Sequence, residues 1–279
     1  MSVEPLLASA TERLTAAGVA SPRVDAELLL SHVTGIPRLV LLRSARPNDI
    51  QYSAYKALIE RRANREPLQH LTGSAAFRYV DLEVGPGVFI PRPETELLAG
   101  WAIERAKTVD SPVIVDLCTG SGAIALSLVD EVPGARVHAV ELDEVAFGWA
   151  HRNLAGTGVD LRQGDMADAF AELDGTVDIV VSNPPYIPLD AWESVEAEVR
   201  DHDPSLALWS GDDGLDAMHI VESTARRLLK AGGVVAVEHA DAQGESAPSV
   251  FSATGRWTQV RDNTDYADRP RFVTATRAG

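Results

Sequence analysis

The sequence predicts an α/β protein, with a parallel sheet carrying helices on both faces behind a small, all-helical leading unit. Three observations predict it. Seven short runs of strand-forming residues follow residue 94, and helical patterns separate the first five of them. The first seventy or so residues show helix signals and no such runs. Between Ser74 and Ile90 the texture turns to β-forming residues, with Gly85-Pro86-Gly87 among them.

Taken in order, Ser21-Pro22 reads as an N-cap followed by proline at the first helical position, and Leu28, Leu29 and Val33 follow at helical spacing before Gly35. Asn48 and Gln51 have the spacing of a capping box ahead of a helix ending near Asn64. No group in these helices carries obvious chemistry, which predicts a packing or docking role for residues 1–73. Residues 74–92 are expected to form a β-hairpin linker, broken by the Gly-Pro-Gly stretch. In the third region, 93–279, strands are expected at "VIVDL", "RVHAVE", "VDLRQ", "VDIVVS", "VVAVEH", "WTQVRD" and "RFVTATR". Strands joined through helices read as parallel. The last two lack a convincing helix between them, so one is expected to run antiparallel at the edge.

Composition bounds the function. At 279 residues and 45% apolar, the chain is long enough for two domains and a real core. No apolar run approaches membrane-spanning length. The opening "MSVEPLLASATERL" lacks the basic start and apolar block of a signal peptide, which predicts a cytoplasmic protein. The single cysteine, Cys118, excludes an internal disulfide. A formal charge of −16 repels a phosphate backbone, so no direct nucleic-acid binding is expected and a protein partner is favoured.

"VIVDLCTGSGAIALSL" is an apolar strand, a glycine turn and a helix, the arrangement that holds a cofactor beyond the carboxyl ends of a doubly wound sheet. Gly120 and Gly122 let the backbone approach a ligand, and Asp116 is placed to face the same crevice. The glycines do not complete G-x-G-x-x-G, and there is no phosphate loop of the G-K-[ST] type. Glu141, ending the next strand, is placed to accept hydrogen bonds from two ribose hydroxyls. That fits a nicotinamide dinucleotide and the adenosine of S-adenosylmethionine equally. Asp165 and Met166, one strand later, are placed to flank an adenine ring.

"VVSNPPYIP" is the most informative stretch. Two prolines cannot continue a central strand, because neither has an N–H to donate. An amino group conjugated with a carbonyl or an aromatic ring is a poor nucleophile, and accepting both of its N–H bonds helps it. The Asn183 side-chain oxygen and the Pro184 carbonyl are two such acceptors, fixed in place by Pro184 and Pro185. Tyr186 adds a flat face for stacking. No general-base pair or metal spacing accompanies them: the histidines are scattered, and His202 and His239 read as structural or surface groups.

With these residues quoted, the chain resembles the HemK/PrmC family of class I methyltransferases, which methylate the glutamine of the Gly-Gly-Gln loop of peptide chain release factors. "EPLQHLTG", "FIPRPETE", "DLCTGSGAIAL" and "VSNPPYI" carry the resemblance, while "GDDGLD", "VEHADAQGE" and "YADRPRFV" are looser matches. The resemblance implies a seven-stranded Rossmann-like domain, S-adenosylmethionine as cofactor and release factors as partner. It further implies that Cys118, Thr119, Gly120, Ser121 and Gly122 line the methionine end of the cofactor, with Asp116 alongside. Glu141 would hold the ribose, Asp165 and Met166 the adenine, and Asn183, Pro184, Pro185 and Tyr186 the substrate glutamine, with Asn183 also near the cofactor. Cys118 stands where the family most often has glycine, and Asp203 where a glutamate is common. Rivals are a ribosomal-protein glutamine methyltransferase, an adenine-N6 methyltransferase, and a non-catalytic cofactor-binding module, which the intact acceptor motif opposes.

Overall fold

A computed structural model of the chain describes residues 3–279. The chain divides into two compact units. One runs to Ser74 and takes in Glu196–His202; the other comprises Ala75–Val195 and Asp203–Gly279.

The first unit is helical. Its longer helices are Glu4–Ala16, Pro22–Thr34 and Asp49–Ala63. Pro22 opens the second at a position where a missing N–H costs nothing, and Gly35 closes it in the left-handed region at φ 69°. Ser21 makes no side-chain cap there. The capping box at Asn48 does form: the Gln51 N–H donates to Asn48 Oδ1 at 2.9 Å and the Asn48 N–H to Gln51 Oε1 at 3.0 Å. Leu7, Leu14, Leu29, Leu30 and Tyr55 fill the core. Leu28 and Val33 are only half buried, because the inward face of their helix follows Asp25, Ala26, Leu29 and Leu30. Asp25 is buried there because Arg62, also buried, pairs with it at 2.7 Å. Arg62 and Arg65 further hold Glu198 at 3.0 and 2.7 Å.

A hairpin follows, with β1 at Ser74–Phe77 and β2 at Val80–Glu83. Its turn is Arg78-Tyr79, with Arg78 at φ 51°, and not the Gly-Pro-Gly stretch that the sequence pointed to. Gly85 and Gly87 serve packing instead. A Cβ on Gly85 would stand 2.6 Å from the Trp149 ring, and one on Gly87 2.5 Å from Val145.

The large sheet holds β3 (Val113–Leu117), β4 (Arg136–Glu141), β5 (Asp160–Gln163), β6 (Val177–Ser182), β7 (Leu229–Glu238), β8 (Trp257–Thr264) and β9 (Pro270–Arg277). Their order is β5-β4-β3-β6-β7-β9-β8. β3 to β7 are parallel, and β9 runs antiparallel between β7 and the edge strand β8. Strand order reverses beside β3, which puts the ligand crevice beyond the carboxyl ends of β3 and β6. Both faces are covered. Leu98, Ile103, Leu128 and Ala150, from three helices, pack on one, and Met218, Val221, Leu228 and Phe251 on the other. Between β5 and β6 the expected helix is absent, and the connection makes only a 3₁₀ turn, Ala171–Leu173. A helix that the sequence reading missed, Ser246–Ser252, precedes β8.

Candidate active site

Strand register brings the site together. Leu117 pairs with Val140 and with Ser182, Glu141 pairs with Gln163, and Ser182 pairs with Val237. Cys118, Glu141, Gly164, Asn183 and Glu238 therefore leave five adjacent strands within a residue of one level. The Ser182 hydroxyl donates to the Leu117 carbonyl at 2.7 Å, tying the start of the glycine loop to the start of the N-P-P-Y segment.

Glu141 organises the glycine loop. Its carboxylate is buried, and it accepts the Gly120 N–H at 2.8 Å and the Asp143 N–H at 2.9 Å. Burial raises its pKa, and these two backbone donors oppose the rise. Gly120, at φ 58°, has open space where a Cβ would stand, so bare backbone faces any ligand. Gly122 is buried, and a Cβ there would meet Leu154 at 3.1 Å, so it serves loop-to-helix packing as well. Asp116 is likewise sealed, at 0% exposure, and accepts the Thr119 hydroxyl at 2.6 Å. It braces the loop from beneath. Burial pushes its carboxyl up to about 7. Thr119 and Ser121 are buried, whereas Asp165 is exposed. Cys118 sits at φ 60°, the region that glycine enters without cost, and its thiol donates to the Met166 sulfur at 3.4 Å. Burial raises the thiol pKa and keeps it protonated.

Asn183 is half buried, and its side-chain N–H donates to Thr95 Oγ1 at 3.2 Å. That turns Asn183 Oδ1 the other way. Among the described residues, neither Asn183 Oδ1 nor the Pro184 carbonyl accepts a hydrogen bond. The Tyr186 hydroxyl donates to Glu238 Oε1 at 3.2 Å, and burial raises its pKa. The Tyr186 carbonyl accepts from Gln243 Nε2 at 3.2 Å. A Cβ on Gly214 would stand 2.3 Å from that carbonyl, so the segment is clamped from both sides. Glu238 is 1% exposed. Burial pushes its carboxyl up to about 7, while the Thr95 and Tyr186 hydroxyls and the Arg271 guanidinium favour its ionised form and Glu94 opposes them. Asp203, also buried, pairs with Arg92 of "FIPRPETE" at 2.6 Å. His239 is buried and bonded to Asp262 Oδ1 at 3.1 Å, a structural group.

Comparison with known proteins then decides the family. Residues 5–73 match the PrmC N-terminal domain and residues 95–196 the methyltransferase small domain. A release factor glutamine methyltransferase of Streptomyces coelicolor is 56% identical over 98% of this chain and 97% of its own length. The chain belongs to the release factor glutamine methyltransferase family. Another member, from Mycolicibacterium smegmatis, is 49% identical over 96% of this chain and 95% of its own. A 4-amino-L-phenylalanine/4-methylamino-L-phenylalanine methyltransferase of Streptomyces pristinaespiralis is 43% identical over 91% of this chain and 88% of its own.

The methyl donor of this family is S-adenosylmethionine, and the residues of the crevice fit it. Each Glu141 oxygen has spent one lone pair on a backbone N–H, which leaves the others for ribose hydroxyls. The open face of Gly120 would admit the methionine end, and Met166 would offer an apolar surface to the adenine. When bound, the donor supplies an electrophilic methyl group on a positively charged sulfur. The chain does the rest by placement. Asn183 Oδ1 and the Pro184 carbonyl, free among the described residues, would accept the two hydrogens of an incoming NH₂, held by prolines so that little reorganisation is needed.

Two residues of this site, Thr95 and Glu238, escaped the sequence reading. A signal was there for Glu238: "VVAVE" ends a central strand on an acid just as "VHAVE" does at Glu141.

Proposed function

We propose that this enzyme transfers the methyl group of S-adenosylmethionine to the side-chain amide nitrogen of the glutamine in the Gly-Gly-Gln loop of peptide chain release factors. The observation that carries the reading is the unpaired acceptor couple at the end of β6, Asn183 Oδ1 and the Pro184 carbonyl, beside the glycine loop. Pro185 and Tyr186 complete the pocket for the glutamine, and Tyr186 is held through Glu238 and Gln243. Asp116, Cys118, Thr119, Gly120, Ser121, Gly122, Glu141, Asp165 and Met166 form the cofactor site, with Asp116 bracing its loop and Asn183 at the meeting point.

Residues 1–73 act as the substrate-docking domain, 74–92 as linker and 93–279 as the methyltransferase domain. The match of residues 5–73 to an N-terminal domain of this family supports that division. The acidic surface, at −16, opposes nucleic acid as substrate. Among the described residues no helix is long and apolar enough to cross a membrane; release factors as substrate support work in the cytoplasm.

A small aromatic amine is the second reading, because one relative's name gives a 4-amino-phenylalanine as acceptor, again a conjugated NH₂. Labelled S-adenosylmethionine should be offered with release factor, release factor lacking the loop glutamine, a ribosomal protein, DNA, RNA and 4-amino-L-phenylalanine. Label in intact release factor alone is expected. Label in any other acceptor, or label that survives loss of the glutamine, overturns the proposal.

A further inference from the structure

The acceptor role of Asn183 depends on which way its amide faces, and an asparagine presents oxygen and nitrogen with nearly equal shape. Thr95 alone does not decide it, since a hydroxyl both donates and accepts. Glu238 does. Its Oε1 takes the Tyr186 hydroxyl, while Oε2 is buried without a hydrogen-bond partner. The nearby Thr95 hydroxyl interacts favourably with this carboxylate. Its proton makes no bond among the described residues, and its oxygen receives Asn183 Nδ2. In its ionised form, which the Thr95 and Tyr186 hydroxyls and Arg271 favour, the carboxylate only accepts, so it draws the Thr95 proton, and Thr95 is then left as a pure acceptor toward Asn183.

We propose that Glu238 is a positioning residue that acts through Thr95 to fix the Asn183 amide with nitrogen inward and oxygen toward the substrate, and through the Tyr186 hydroxyl to hold the stacking ring. The bond from Asn183, just beyond β6, reaches Thr95 at the start of helix Thr95–Ala106, and the inferred link continues from the Thr95 hydroxyl to Glu238 at the end of β7. The inference rests on the proposed transfer to an NH₂ group. It predicts that Glu238 governs turnover and leaves cofactor binding alone.

The test compares Glu238→Gln, Thr95→Val, Thr95→Ser and the Thr95→Val/Glu238→Gln double variant. Glu238→Gln and Thr95→Val are each expected to lower kcat by about 10- to 100-fold, with KM and the calorimetric affinity for S-adenosylmethionine within about threefold of wild type. Thr95→Ser, which keeps the hydroxyl, should lose less than about threefold, and the double variant should be no worse than the poorer single one. NMR of isotope-labelled asparagine supplies a readout that needs no acceptor substrate. The Asn183 side-chain amide signal, assigned with Asn183→Asp, should show one protected hydrogen in wild type and Thr95→Ser, and none in Thr95→Val. Losses that multiply in the double variant, a serine no better than valine, or an unchanged amide signal each overturn the inference. A wild-type enzyme that shows the protected amide yet leaves release factor unmethylated contradicts the substrate assignment and supports the inference.

Discussion

Replacing Glu141 by glutamine tests the cofactor site with the least change in shape. The carboxylate accepts Gly120 N–H at 2.8 Å and Asp143 N–H at 2.9 Å, one on each oxygen. A glutamine has one oxygen to offer, so its NH₂ must confront one of these donors. One charge-assisted bond, worth about 1.5–3 kcal/mol, is lost, and the other becomes a neutral bond of about 0.5–1.5 kcal/mol. The neutral side chain is cheaper to bury, and this offsets part of the loss, so the protein should fold with stability reduced by only about 1–2 kcal/mol. Cofactor has no such compensation. The loop is braced at one point instead of two, and the ribose hydroxyls face one acceptor oxygen instead of two. Affinity should fall by about 10- to 100-fold, which is about 1.4–2.7 kcal/mol. The pH dependence gives a second reading. Burial raises the Glu141 pKa, and ribose hydroxyls donate to its ionised form, so wild-type affinity should weaken on acidification and that dependence should vanish in the variant. Calorimetric titration with S-adenosylmethionine or its demethylated product, across pH, makes both measurements. An unchanged affinity refutes the ribose role. An unchanged affinity with lost turnover moves Glu141 into the chemistry.

Asn183→Ala should lower kcat by roughly 100-fold or more, the scale for one preorganised polar group, with cofactor affinity little changed; steady-state methylation at saturating donor checks it. Asp116→Asn tests the buried acid. In the unfolded chain the acid ionises near 4 and in the fold near 7, so between those values the folded state binds more protons and wild-type stability falls as pH rises. Denaturation curves should show wild type losing stability relative to the asparagine variant from pH 4 to 7, and parallel profiles would contradict it. Arg62→Ala leaves Asp25 buried without its partner and leaves Glu198 to Arg65 alone, at a cost of about 3–5 kcal/mol to the helical unit, read from the same curves.

Much of this architecture is legible in the sequence because local signals and tertiary placement agree. Asn48 and Gln51 cap a helix wherever it packs, and "VIVDL" and "VDIVVS" are buried on both faces as their unbroken apolar character requires. The hairpin turn was misread because Gly85 and Gly87 are demanded by Trp149 and Val145, neighbours that only the fold supplies. Gly122 shows the same limit: a glycine that makes room for Leu154 looks in sequence like one that makes room for a cofactor. Cys118 fills a left-handed position at φ 60°, a conformation that glycine enters without cost. Asp203 became interpretable only when Arg92, more than a hundred residues away in the chain, came within 2.6 Å of it. Thr95 and Glu238 stayed hidden because each gains its meaning from a partner on another element.

The central claim is that the acceptors at Asn183 and Pro184 present a glutamine amide nitrogen to the donor. Fragmentation mass spectrometry of release factor after incubation with enzyme and S-adenosylmethionine tests it most directly. The account predicts a single methyl group on the side-chain nitrogen of the Gly-Gly-Gln glutamine, absent when Asn183→Ala replaces the enzyme over the same interval. A methyl group on another residue or on the backbone, or full modification by the Asn183→Ala enzyme, would contradict it.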